Sequence, residues 1–142
     1  MGEAGFRDIV AQAPVSIILA DREGTIRVWN DASEALFGYA AADVVGKSLD
    51  VIIPEHMREA HWEGYDRSLA SGTTRYAGRV MTTRAVHKDG RKLYVDFSFG
   101  MLKDAAGNVV GAMAVGRDAT ERYLAEREMR AKLASLGKPP TP

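Results

Sequence analysis

Three histidines, nineteen acidic and nineteen basic residues, and no cysteine are the chemistry available to this 142-residue chain. Without cysteine there are no disulfides, thiolate metal sites or thiol nucleophiles, and the setting reads as cytosolic. No Ser/His/Asp set, phosphate-cradling glycine loop or H-E-x-x-H pattern occurs, so an enzyme is not expected. Among the imidazoles, His61 stands apart. In PEHMREAHWEGYDRSLASG (54–72), Met57, His61, Tyr65 and Leu69 recur every four residues and share one helical face. Three of the four are core residues. An imidazole on that stripe needs a partner, such as a metal, a ligand, water or a carbonyl, because a buried polar group left unpaired costs about 1–3 kcal/mol. His56, in the first turn, and His87, before a KDG turn, read as solvent-exposed. His56 and His61 lie about 140° apart round the helix and do not form a chelating pair. Trp62 reads as facing outward, with a rim or dimer contact and a pocket role equally open.

The elements that must position His61 follow from periodicity and punctuation. Pro54 and Gly72 bound its helix. EAGFRDIVAQ (3–12) reads as an amphipathic helix stopped by Pro14. VSIILA (15–20) and TIRVW (25–29) read as strands joined by the DREG turn. A helix follows with Asp31 and Glu34 as a capping box, ended by Gly38, and AAADVVG (40–46) is a helical turn. After the His61 helix, residues 76–86 are β-like. RKLYVDFSFGML (91–102) alternates, with Leu93, Val95, Phe97, Phe99 and Met101 on one face. Residues 109–116 form the last strand, where Gly111, Ala112, Ala114 and Gly116 leave little bulk. That strand makes room either for a flat cofactor or for close approach of a helix or second subunit. The order β-β-α-α-α-β-β-β with short turns predicts an α+β fold: a five-stranded antiparallel sheet with helices on one face. Asp118 and Glu121 form a second capping box before a helix of about 17 residues. Met129, Leu133 and Leu136 on it are a short coiled-coil seam, which predicts a homodimer. Residues 137–142 are a tail or linker.

Net charge is zero. That argues against nucleic acid as a partner, and no apolar run is long enough to span a bilayer.

The sequence resembles PAS domains. The residues that carry the resemblance are Val28-Trp29-Asn30 with Ala32, Glu34 and Leu36, then Phe37-Gly38-Tyr39, Val45-Gly46-Lys47, Lys88-Asp89-Gly90, Gly111, and Arg117-Asp118-Ala119-Thr120-Glu121-Arg122. Ala40-Ala41-Ala42 departs from the family, which more often has Ser-x-x-Glu there, and weakens a helix cap. The resemblance implies an N-terminal flanking helix (1–12), a PAS core (13–118), a C-terminal signalling helix (119–136) and a tail. It also implies a cytoplasmic sensor that holds a ligand or cofactor, or nothing, and acts on a kinase, cyclase or regulator outside this chain. Asp118, Thr120, Glu121 and Arg122 would then be signalling residues at the exit.

Part of the chain also resembles the haem-binding PAS domains of bacterial oxygen-sensor kinases. Pro54, Glu55, Arg58, His61, Arg67, Ser71 and Gly72 fit their P-E-x-x-R-x-x-H context and its continuation. This resemblance implies haem b with His61 as axial iron ligand, and Arg67 and Arg75 as propionate partners. On the distal side Met81 stands where those sensors carry an oxygen-binding Arg, and Arg79 lies two residues earlier. Met81 would be a sixth ligand, or Arg79 would stabilise bound oxygen. Without cysteine, the adduct-forming flavin and coumaryl photosensors are excluded. A non-covalent flavin, a small organic ligand and a cofactor-free interaction module are the alternatives.

Overall fold

A computed structural model describes residues 2–74 and 78–137. The β-branched run after Pro14 forms β1 (Ser16–Asp21), with Ser16, Ile18 and Ala20 buried in strict alternation. Asp21 Oδ1 then accepts from the backbone N–H of Glu23 and Thr25, each at 3.0 Å. That side-chain turn returns the chain as β2 (Ile26–Trp29). The other elements are α1 (Glu3–Gln12), α2 (Asp31–Phe37), α3 (Ala41–Val44), two 3-10 turns (Leu49–Ile52 and Glu55–Met57), α4 (Arg58–Ser71), β3 (Met81–Val86), β4 (Lys92–Lys103), β5 (Val109–Asp118) and α5 (Thr120–Ser135). All strand pairs are antiparallel, in the order β2-β1-β5-β4-β3. The N-terminal hairpin and the C-terminal meander therefore meet along β1 and β5, with Ile18 opposite Ala114 and Ala20 opposite Ala112. Phe37 and Val44 from the helices share one core with Ile18, Trp29, Leu93, Val95 and Phe97 of the sheet. The expected α+β architecture is the observed one.

Several local expectations shift. Asn30, not Asp31, caps α2, its side chain accepting from the Ser33 N–H. Glu34 does not close a box. It reaches forward, and its Oε2 accepts from the Ala41 N–H at 2.6 Å, supplying α3 with the cap its alanines lack. Pro54 precedes a 3-10 turn, and the α-helical bonding begins only at Arg58. The strand expected over 76–86 starts at Met81, leaving Arg79 exposed before it. Residues 75–77, and with them Arg75, expected at a propionate, lie outside the described residues, as do residues 138–142 of the tail.

The exit helix is tied to the side of β4 opposite the core. Leu93, Val95 and Phe97 are buried, so Tyr94 and Asp96 point the other way. The Tyr123 ring stacks on Tyr94 at 3.9 Å, and Arg122 forks onto Asp96 through Nη1 and Nη2 at 2.7 and 3.1 Å. The Arg122 guanidinium and the Thr82 hydroxyl hold the Asp96 carboxyl below its ordinary pKa. Asp118 Oδ1 accepts from the Thr120 N–H at 2.9 Å and from its hydroxyl at 2.6 Å, while that hydroxyl accepts from the Tyr94 N–H at 3.0 Å. The helix cap itself falls on Ala119. Asp118 thus holds the first residue of the helix, and Glu121 stands exposed in the first turn instead of completing a box.

Candidate functional site

α4 crosses the end of the sheet where β1 turns into β2 and β4 into β5. Near its start, the Trp62 ring lies against Gly24 and its Nε1 donates to Asp50 Oδ1 at 2.8 Å. One turn on, the Tyr65 hydroxyl donates to the Asp21 carbonyl. At its C-terminus Gly72, with φ 74°, sits beside Val109 and Lys103. A Cβ at Gly24 would run into the Trp62 ring, so this glycine is the slot that takes the indole. Trp62 is therefore packed inward, not outward as its place beside His61 suggested. Burial, helped by the nearby Asp21 charge, pushes the Tyr65 phenol up to about 12.

Between this helix and the sheet lies a cavity of about 600 Å³, within the size range of small-molecule sites. Its sheet side is apolar, with Ile18, Ala20, Phe99, Met101, Ala112 and Ala114. Its helix side is small or polar, with Ala60, His61, Gly64, Arg67 and Ser68. The low-bulk strand borders the cavity, but what its glycines admit comes from neighbouring strands and not from a helix. Ala112 and Ala114 clear the cavity floor, whereas Gly116 admits the Phe97 ring and Gly111 the Ala20 carbonyl.

His61 stands in this wall. Its ring lies 4.6 Å from Trp62, edge to face, and 5.9 Å from Tyr65. Its Nδ1 is buried and has no hydrogen-bond partner among the described residues. Burial pushes the imidazole pKa below its ordinary value, against the opposing pull of Asp50. A depressed folded-state pKa means that the unfolded chain takes up the proton first as pH falls. Its stabilising contribution is present above the ordinary pKa of about 6.5 and is lost below it. In chemical denaturation, the stability of the wild type relative to His61→Leu should fall between pH 7 and pH 5. A difference that stays constant, or grows, over that interval contradicts a neutral buried imidazole.

Of the residues expected at a cofactor, the structure brings His61 and Arg67 to the cavity wall. Met81 and Arg79 are not part of it: Met81 pairs with Phe97 on the outermost strand. His56 is exposed, as expected, whereas the His87 side chain is only 14% exposed and lies over Gly38, with Nδ1 accepting from the Asp89 N–H at 3.1 Å. Asn30 serves the backbone of Val10, Val15 and Ile17 and is not in the cavity lining. Sequence reasoning passed over Gly64, whose place in the cavity shows only once α4 is set on the sheet. It also left Met101 as a core-face residue, although Met101 is the thioether of the cavity's sheet side. Among the described residues no cluster of three His, Asp or Glu could hold a free metal ion, and no helix is long and apolar enough to cross a membrane.

Comparison with known proteins agrees with this geometry. The chain is 28% identical over 125 residues to the oxygen sensor protein DosP of Escherichia coli, covering 88% of this chain and 15% of that one. It is 24% identical over 101 residues to the sensor protein FixL of Bradyrhizobium diazoefficiens, covering 71% of this chain and 20% of that one. It thus spans a fifth or less of these relatives. The crystal structure of a PAS domain from Colwellia psychrerythraea superposes with a TM-score of 0.71 at 21% identity, covering 83% of this chain and 97% of that one. The model of the PAS fold family matches residues 10–124, and the chain belongs to that family.

Proposed function

We propose that this chain is the sensory PAS domain of a cytoplasmic signalling protein, that its cavity binds haem b with His61 as the axial ligand, and that the domain relays the state of the cavity through α5 and catalyses nothing itself. The observation that carries the reading is His61: an imidazole in the wall of a large apolar cavity, with a buried ring nitrogen that has no partner among the described residues. The remaining wall suits the group. Apolar residues on β1, β4 and β5 would exclude water from a macrocycle. Arg67, which has no ion pair among the described residues, would take a propionate. The lowered pKa keeps the imidazole neutral near pH 7, the form that ligates a metal. Bound haem would supply an iron centre responsive to gases or redox state. His61 and Arg67 carry the site, with Arg75 as second propionate partner, and Met81 and Arg79 have no part, since neither lines the cavity.

Titration with haemin tests this. The wild type should develop an intense band near the blue edge of the visible spectrum, and amide exchange in α5 should change on loading. His61→Ala should lose the band. Equal uptake by both proteins, or by neither, removes the iron-ligand role and leaves a small organic ligand, a non-covalent flavin or a cofactor-free interaction module.

The exposed apolar side chains favour self-association. Leu124, Met129 and Leu136 on α5, and Phe6 and Ile9 on α1, are 41–71% exposed. Burying a few such residues stabilises by roughly 1.5–3 kcal/mol each before the costs of association. A homodimer mass is expected by light scattering, and Leu133→Glu should convert it to monomer. A mass that is monomeric at high concentration contradicts this. The output, a kinase, cyclase or regulator, would lie beyond this chain.

A further inference from the structure

Gly64 lies in the middle of α4, less than one turn beyond His61, on the helix side of the cavity. Its backbone is ordinary right-handed helix, so conformation does not call for glycine. Packing does not call for it either: a Cβ there would meet only Arg67 Nη2, at 3.7 Å. A glycine inside a helix destabilises it relative to alanine. The helix therefore carries a destabilising residue at a place where neither its backbone nor a neighbouring side chain requires one. Ala60 and Ser68 stand one turn to either side on the same wall, and Ala20, Ala112 and Ala114 face them from the sheet. A row of small residues on each wall thus opposes the other, with His61 at one end of the helix row and Arg67 toward the other.

We propose that Gly64 determines which ligands the cavity accepts: its missing side chain lets a flat, carboxylate-bearing macrocycle lie against the α4 backbone between His61 and Arg67. The inference rests on the reading of the cavity as a porphyrin site. It adds that the shape of the slot, separately from iron ligation, selects the ligand. A compact ligand seated on the sheet floor would have no need of a glycine in the opposite wall.

The experiment compares wild type, Gly64→Ala, Gly64→Leu and His61→Ala by titration with haemin and with metal-free protoporphyrin IX, together with thermal melts of the unliganded proteins. Gly64→Ala should melt at or above the wild-type temperature yet bind both porphyrins at least fivefold more weakly. Gly64→Leu should weaken both at least fiftyfold. His61→Ala should lose haemin while keeping protoporphyrin. A purely structural role for Gly64 moves stability and binding together, so opposite movement is the signature. Wild-type protoporphyrin affinity in both Gly64 variants overturns the slot and leaves iron ligation by His61 intact. Unchanged haemin affinity in His61→Ala, with weakened protoporphyrin binding in the Gly64 variants, overturns the ligation and leaves the slot. No uptake of either porphyrin by the wild type overturns both.

Discussion

Phe37→Ala should lower the unfolding free energy by about 3–5 kcal/mol, the range for removing a buried aromatic ring. Phe37 is fully buried at the end of α2, its ring 5.3 Å from that of Trp29. It belongs to the cluster that joins the helices to β1, β2 and β4. The chain cannot collapse freely into the space left behind. Trp29 is held by its Nε1 bond to the Tyr39 carbonyl at 2.9 Å, and the Phe37 carbonyl itself accepts from the Lys88 N–H at 2.9 Å. The loss therefore includes a cavity term as well as lost burial. Guanidinium denaturation measures it. A loss below about 1 kcal/mol would mean that the α2–sheet contact is not the keystone the burial implies.

Asn30→Ala should cost about 3–4 kcal/mol, taking roughly 1 kcal/mol for each hydrogen bond removed. Its Oδ1 accepts from the Ile17 N–H at 2.9 Å and the Ser33 N–H at 3.1 Å, and its Nδ2 donates to the Val10 and Val15 carbonyls at 2.8 and 2.9 Å. One buried amide thus caps α2, holds the start of β1 and ties down the end of α1. Asn30→Asp keeps the bonds that Oδ1 accepts, among them one from the Ser33 hydroxyl at 2.8 Å, and loses both donated ones. It should destabilise by about half as much and release α1 to protease before the rest of the chain opens. An Asn30→Asp variant as stable as the wild type would show that the donated bonds carry no weight.

The sheet could be read from sequence because β4 is long and strictly alternating: Leu93, Val95 and Phe97 are buried as the period requires, and Phe99 and Met101 continue that face into the cavity. The end of the His61 helix was legible because Gly72 punctuates it, whereas its start was not, since a 3-10 turn follows Pro54 and α4 begins at Arg58. What escaped were choices between neighbours settled by distant residues. Asn30 and Asp31 are both good caps, and only the backbone of Val10, Val15 and Ile17, brought in by the fold, decides for Asn30. Glu34 could turn back or reach forward, and the uncapped Ala41 N–H decides. Trp62 turns inward because Gly24 and Asp50 leave it a slot and an acceptor, and His87 is covered because Gly38 leaves room beneath it. No helical periodicity records such gaps. His61 was legible as an anomaly on an apolar stripe, and its partnerless Nδ1 is the form that anomaly takes in three dimensions.

The most direct measurement of the central claim is chemical rescue of the haemin spectrum. His61→Gly removes the ring and leaves an imidazole-sized space in the wall. Mixed with haemin, this variant should lack the wild-type band, and millimolar free imidazole should restore it. Restoration places the sixty-first side chain at the iron. A wild-type spectrum in His61→Gly without imidazole, or no response to imidazole in a variant that still takes up haemin, contradicts the account.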